Sequence, residues 1–210
     1  MQVQPEGLAN WYFRIIEDPD SAHEILDKAC DAGLKMLRQL DQAVGKYVDV
    51  VCIAHDFGDM RGVMIGAEKW REIYKPHYAK LFGEWRKITR MKSNLHSCGA
   101  ISEIIGDLVE CGLDILNPVQ LSAAGMNAAD LKQKYGDSLV FYGGSFDAVS
   151  TPASCSAEEV YELTKQNIRE MAKNGGYLFS GVHNITGDVP EEHLAAVLRA
   201  YHDCREYERW

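Results

Sequence analysis

The chain has 210 residues, 46% of them hydrophobic and 25% charged, which suits one domain with a sizeable buried core and excludes disorder as its main state. Its 31 acidic side chains outweigh 22 basic ones, for a formal net charge of −9. That balance, with no basic block, argues against a nucleic-acid partner gripped through phosphates and against a polybasic membrane patch.

No apolar run approaches the roughly 20 residues of a membrane span. Met1 to Asn10 has neither the basic nor the apolar stretch of a signal peptide. Cys30, Cys52, Cys98, Cys111, Cys155 and Cys204 form no CxxC pair and are expected as reduced thiols of a cytoplasmic protein. Neither a P-loop nor a GxGxxG fingerprint follows a strand.

From Asp18 to Val44, Ile25, Leu26, Ala29, Leu34, Leu37 and Leu40 recur at helical spacing, with Asp20 or Ser21 as cap and Gly45 at the end. Val48 to Ala54 is a continuous β-branched run, the pattern of a strand buried on both faces. Glu68 to Thr89 is expected to be helical, with Pro76 as a kink or break. Met91 to Leu95 is a short strand, Ile101 to Cys111 a helix ended by Gly112, and Asp114 to Asn117 a strand. A helix over Asn127 to Tyr135 stops at Gly136, and a strand over Leu139 to Tyr142 stops at Gly143 and Gly144. Ser156 caps a helix over Ala157 to Asn174, Tyr177 to Val182 is a strand, and Pro190 to Glu206 is the last helix. Glu206 to Arg209 reads as a solvated charged end. Strict alternation of helix and strand predicts an α/β fold with a parallel sheet, either doubly wound or part of a (β/α)8 barrel.

In both architectures the chemistry sits at the carboxyl ends of the strands. The polar residues there are His55, Asp56 and Asp59, then His96, Ser97, Cys98 and Gly99, then Asn117 and Gln120. Gly144, Ser145 and Asp147 follow the fourth strand, and His183, Asn184 and Asp188 the fifth. An imidazole and a thiol two residues apart, His96 and Cys98, can face one metal ion, and zinc takes such N and S ligands in sets of three or four. His183 at another strand end strengthens a metal reading, with Asp56 or His55 as a further ligand. The alternative is a cysteine packed under the next helix and a histidine bonded to a backbone carbonyl. His55 and Asp56 are adjacent on extended chain and point apart, which disfavours a direct acid–base pair. Asp147 either holds a polar group of a substrate or has a local role, closing an Asx turn or capping a helix. Trp70, Trp85, Tyr74 and Tyr78 are expected in the core, Cys52 inert within its strand, and His23, His77, His193 and His202 at the surface.

Four segments carry a resemblance: VDVVCIAHDFGDMRGVMIGAEKWREIYKPHYAKL, NLHSCGAISEIIGDLVECGLDILNPVQ, LVFYGGSFDA and GGYLFSGVHNITGDVP. In this order they resemble the uroporphyrinogen decarboxylase superfamily, particularly its cobalamin-dependent methyltransferase branch. The resemblance implies a (β/α)8 TIM barrel of which residues 1–210 form one domain, matching the last five βα units and lacking the first three strands. It implies a zinc site in which His96 and Cys98 match the HxC of the methyltransferases, His183 stands where they have a cysteine, and Asp56 is the acidic ligand. Asp56, His183 and Asp147 are then the expected catalytic residues, and Asn117, Gln120 and Gly144 the expected cofactor contacts. The implied activity moves a methyl group between a corrinoid such as methylcobalamin, on a partner protein or as a small molecule, and a zinc-activated acceptor such as a thiol. Two rivals are porphyrinogen decarboxylation, and an inactive partial barrel completed by a second copy or a partner chain. Bare parallel edges rarely stay uncovered, which motivates the second rival.

Overall fold

A computed structural model describes residues 7–206, and each expected helix and strand is present with boundaries shifted by local chemistry. One helix had no counterpart in the sequence reading: α1 (Leu8–Glu17) buries Trp11 and Ile15, four residues apart on one face. The Trp11 indole N–H donates to the Tyr74 hydroxyl at 2.7 Å, tying α1 to the chain that follows the first strand. Helix α2 (Pro19–Val44) is capped by Asp18, which accepts from the Ser21 N–H, so neither Asp20 nor Ser21 is the cap. The expected helix over Glu68 to Thr89 is two, α3 (Ala67–Ile73) and α4 (Lys75–Ile88). Pro76 lacks an N–H and its ring opposes the carbonyl four residues back, so the ladder breaks at Tyr74.

The strands β1 (Val50–Ala54), β2 (Lys92–His96), β3 (Ile115–Asn117), β4 (Val140–Tyr142) and β5 (Tyr177–Leu178) form one parallel sheet in the order β1-β2-β3-β4-β5. Between and after them run α5 (Ser102–Cys111), α6 (Ala128–Tyr135), α7 (Ala157–Met171) and α8 (Glu191–Cys204). Parallel crossovers are right-handed, so strands added always on the same side place every connecting helix on one face. A doubly wound sheet reverses its order midway; this one does not, and the arrangement is that of a partial barrel.

The helix-covered face holds Leu95, Leu116 and Phe141, all fully buried, with Val51 and Ile53 packed against them. On the opposite face Val50, Cys52 and Ala54 are exposed, which corrects the expectation that β1 is buried on both sides. Its apolar run reflects a covered face alternating with an open one. The Cys52 thiol therefore lies on the open face rather than inside the core. All six cysteines are free thiols.

Strand β5 ends at Leu178, short of the expected Val182. Opposite it Gly143 and Gly144 take φ of +97° and +82°, conformations no extended strand contains, and the regular ladder stops there. Irregular bonds from Ser145 N–H to the Ser180 carbonyl and from Val182 N–H to the Phe146 carbonyl keep the two loops side by side. Helix α7 stops at Met171, before Asn174, and its start has a full capping box between Ser156 and Glu159.

Two histidines expected at the surface are buried. His77 is wedged between His23, 2.9 Å from its Nε2, and Asp27, 3.3 Å from its Nδ1. His193 Nε2 meets the Cys155 carbonyl at 2.7 Å. Each ring has partners inside the protein, which is what makes burial of an imidazole tolerable. The charged end read over Glu206 to Arg209 falls, past Glu206, outside the described residues. Among the described residues no helix is long and apolar enough to cross a membrane.

Candidate metal centre

Alternation along β2 sends Leu95 into the helix-covered core and His96 to the open face, beside Ala54 of β1 and Asn117 of β3. The chain then turns through Ser97, Cys98 and Gly99. Ser97 is fully buried; its N–H donates to the Asn117 carbonyl at 2.7 Å and its hydroxyl accepts from the Phe57 N–H at 3.1 Å. Gly99 has φ +88°, and a Cβ there would lie 2.6 Å from the Asp59 carbonyl oxygen, so only glycine fits this turn.

Two side chains from neighbouring strand ends hold the turn by its N–H groups. Asp56 Oδ1 accepts from Cys98 at 3.0 Å, and Gln120 Oε1 accepts from Gly99 at 3.0 Å. The result puts Cys98 Sγ 3.4 Å from His96 Nε2. From the far side of the sheet His183 brings its ring edge-on to His96, with centroids 6.1 Å apart. One ligand atom from each of His96, Cys98 and His183 lies within 4.8 Å of the others. Two imidazole nitrogens and one sulfur make a donor set that suits zinc, and three protein ligands would leave a fourth position for water or substrate, as catalytic rather than structural zinc sites do.

Burial first, then the negative charges of Asp56 and Asp147, pushes the Cys98 thiol up to about 11. Without a cation the sulfur therefore holds its proton at neutral pH; a metal ion bound there would be needed to convert it to thiolate.

The remaining residues singled out in the sequence take up distinct places. Asp56 lies 4.0 Å from His96 Nε2 while bonded to the Cys98 backbone, so it braces the turn at the rim of the cluster. His55 points the other way. It is 2% exposed, its Nδ1 is 3.1 Å from the Tyr78 hydroxyl, and it packs edge-on against Tyr74. Burial drives its pKa down to about 3, so it is a neutral core residue with no place in the metal set. Asp147 accepts from the Val149 and Ser150 N–H groups through Oδ1, closing an Asx turn, and from Ser122 and Gln120 through Oδ2. Gln120 thereby links the Cys98–Gly99 turn to the Asp147 loop. At Gly144 a Cβ would sit 2.6 Å from the Val119 carbonyl oxygen, so the residue serves a close approach of two backbones. Asp59 caps the Arg61 and Gly62 N–H groups, and Asp188 bonds Thr186; both shape their own loops.

Sequence reasoning passed over two contacts. Asn117 Oδ1 lies 2.7 Å from His96 Nδ1, and Tyr78 is the partner of His55. The first had a signal in the sequence: once the strands are aligned by their ends, His96 and Asn117 fall at the same level on adjacent strands. The second had none, because it depends on how α4 packs over β1.

The family model for uroporphyrinogen decarboxylase (URO-D) matches residues 4–204. Among solved structures, a methyltransferase from Methanosarcina mazei superposes with a TM-score of 0.68 at 18% identity, a likeness of fold. The match covers 94% of this chain and 53% of that one, so the chain spans about half the length of that protein. No curated protein sequence matches the chain.

Proposed function

The chain belongs to the uroporphyrinogen decarboxylase family over nearly its whole length, and from that premise we propose that it is a methyltransferase-type member working through a zinc site at His96, Cys98 and His183. The observation that carries this reading is the convergence of one sulfur and two imidazole nitrogens at the carboxyl ends of the strands. The fold likeness to a methyltransferase supports the same branch. Porphyrinogen decarboxylation needs no metal, so on that reading the convergence of His96, Cys98 and His183 is structural only.

Zinc held by these three residues would act as a Lewis acid on a fourth ligand, so that an acceptor thiol is deprotonated at neutral pH. The chain's own groups do the positioning. Asp56 and Gln120 hold the Cys98–Gly99 turn, and the Asp147 loop runs beside the His183 segment. The cluster lies at the carboxyl ends of the strands, the mouth of a barrel, where a large donor can reach it, and on this reading the donor is a methylated corrinoid carried by a partner protein. The bare edges of β1 and β5 are where further strands of the barrel join.

Elemental analysis of purified protein tests the site directly. Wild type is expected to hold about one zinc per chain, and Cys98→Ser to lose it, because three ligands are the minimum of a catalytic site. Metal-free wild type taking up zinc should release the Cys98 proton. Absence of zinc in both proteins, with no uptake on titration, overturns the metal centre. Zinc uptake without methyl transfer from methylcobalamin to any thiol overturns the assigned reaction and leaves the site standing.

A further inference from the structure

The contact between Asn117 and His96 decides more than the placement of a ring. The two residues face each other in the parallel register of β2 and β3, on the open face of the sheet. Asn117 Nδ2 lies 3.3 Å from the Tyr142 carbonyl oxygen of β4. A carbonyl oxygen only accepts, so the amide nitrogen must be the end that faces it. That settles the orientation of the amide, and Oδ1 is the end aimed at His96 Nδ1, 2.7 Å away. An amide oxygen likewise only accepts, so Nδ1 carries the proton. A neutral imidazole has one N–H, which leaves Nε2 with a free lone pair, and Nε2 is the atom 3.4 Å from Cys98 Sγ. The backbone carbonyl of Asn117 also accepts from the Ser97 N–H at 2.7 Å, so the two residues are locked together by main chain as well as side chain.

We infer that Asn117 is a positioning residue: it fixes His96 in the Nδ1–H tautomer and so presents Nε2 as the ligand atom beside Cys98 and His183. As a statement about metal affinity this rests on the zinc reading above; as a statement about the tautomer it stands without it. The reverse amide orientation would set Oδ1 against the Tyr142 carbonyl and protonate Nε2, which would remove the ligand. The carbonyl of a third strand thus determines which nitrogen of His96 is free. A neutral amide does this without adding a further negative charge to a pocket that already holds Asp56 and Asp147.

The test uses the metal-free 210-residue chain with 15N-labelled histidine at pH 8, above the ordinary imidazole range. Two-bond 1H–15N correlations distinguish the tautomers, and the His96 signals are identified by their loss in His96→Gln. Wild type is expected to show the Nδ1–H form. Asn117→Leu, similar in size but without an acceptor, is expected to move His96 toward the Nε2–H form, while Asn117→Asp, which keeps an acceptor oxygen, retains Nδ1–H. Should Asn117→Leu fail to fold, Asn117→Ala makes the same comparison. In Co(II) titrations Asn117→Leu is expected to bind about 10–100-fold more weakly than wild type. A wild-type His96 in the Nε2–H form, or a tautomer unchanged on removing the acceptor, overturns the inference. A wild type with the expected tautomer that binds neither Co(II) nor zinc overturns the metal reading instead.

Discussion

Replacing His55 with glutamine separates a histidine that holds the core from those that gather at the cluster. In the folded chain burial depresses the His55 pKa to about 3, against an ordinary value of 6.5. Between those two values the unfolded chain binds a proton that the folded chain refuses, so the stabilisation is complete above pH 6.5 and is lost as pH falls toward 3. At pH 5.5, one unit below the unfolded value, His55 alone lowers stability by about 1.4 kcal/mol, a tenfold change in the unfolding constant. That pH stays above the isoelectric point of about 5.2. Glutamine does not titrate. The variant is expected to be less stable than wild type at pH 8, since it gives up the ring packing against Phe57 and Tyr74, but the gap should narrow by about 1.4 kcal/mol at pH 5.5. Urea unfolding followed by tryptophan fluorescence reads this, since Trp11, Trp70 and Trp85 are all buried. Parallel pH profiles for the two proteins would refute the assignment of His55 as a neutral core residue.

Two further substitutions probe the architecture around the site. Gly99→Ala must place a side chain at φ +88° and 2.6 Å from the Asp59 carbonyl oxygen; a loss of more than about 2 kcal/mol is expected, together with reduced zinc loading as the Cys98 turn shifts. Wild-type stability and loading in that variant would refute the requirement for glycine. Ser156→Ala removes the hydroxyl that accepts from the Glu159 N–H at the start of α7, and the expected cost of about 1 kcal/mol should lower the melting temperature by about 2–4 °C while leaving zinc content unchanged.

Much of this protein was readable from residues alone because the relevant signals are local. The β-branched run within Val48–Ala54 favours extended chain, Pro76 ends a helix for want of an N–H, and Ser156 with Glu159 closes a capping box within one turn. The alternation of helix and strand implied a parallel sheet, and a parallel sheet directs attention to the residues after each strand, where His96, Cys98 and His183 lie. Tertiary structure decided what those signals cannot carry. Whether β1 has one covered face or two depends on where helices pack, and Val50, Cys52 and Ala54 turned out to be open. His55 and His96 look alike in the sequence, each closing or following a strand with an acidic or thiol neighbour. One is sealed against Tyr74 and Tyr78, and the other faces Cys98 and His183. Asp147 closes its own loop, and Asn117 orients a neighbour's ring through a carbonyl on a third strand. Periodicity and capping act over a few residues of one segment. Burial, tautomer and ligand convergence are set by groups distant in the chain that meet only when the sheet assembles.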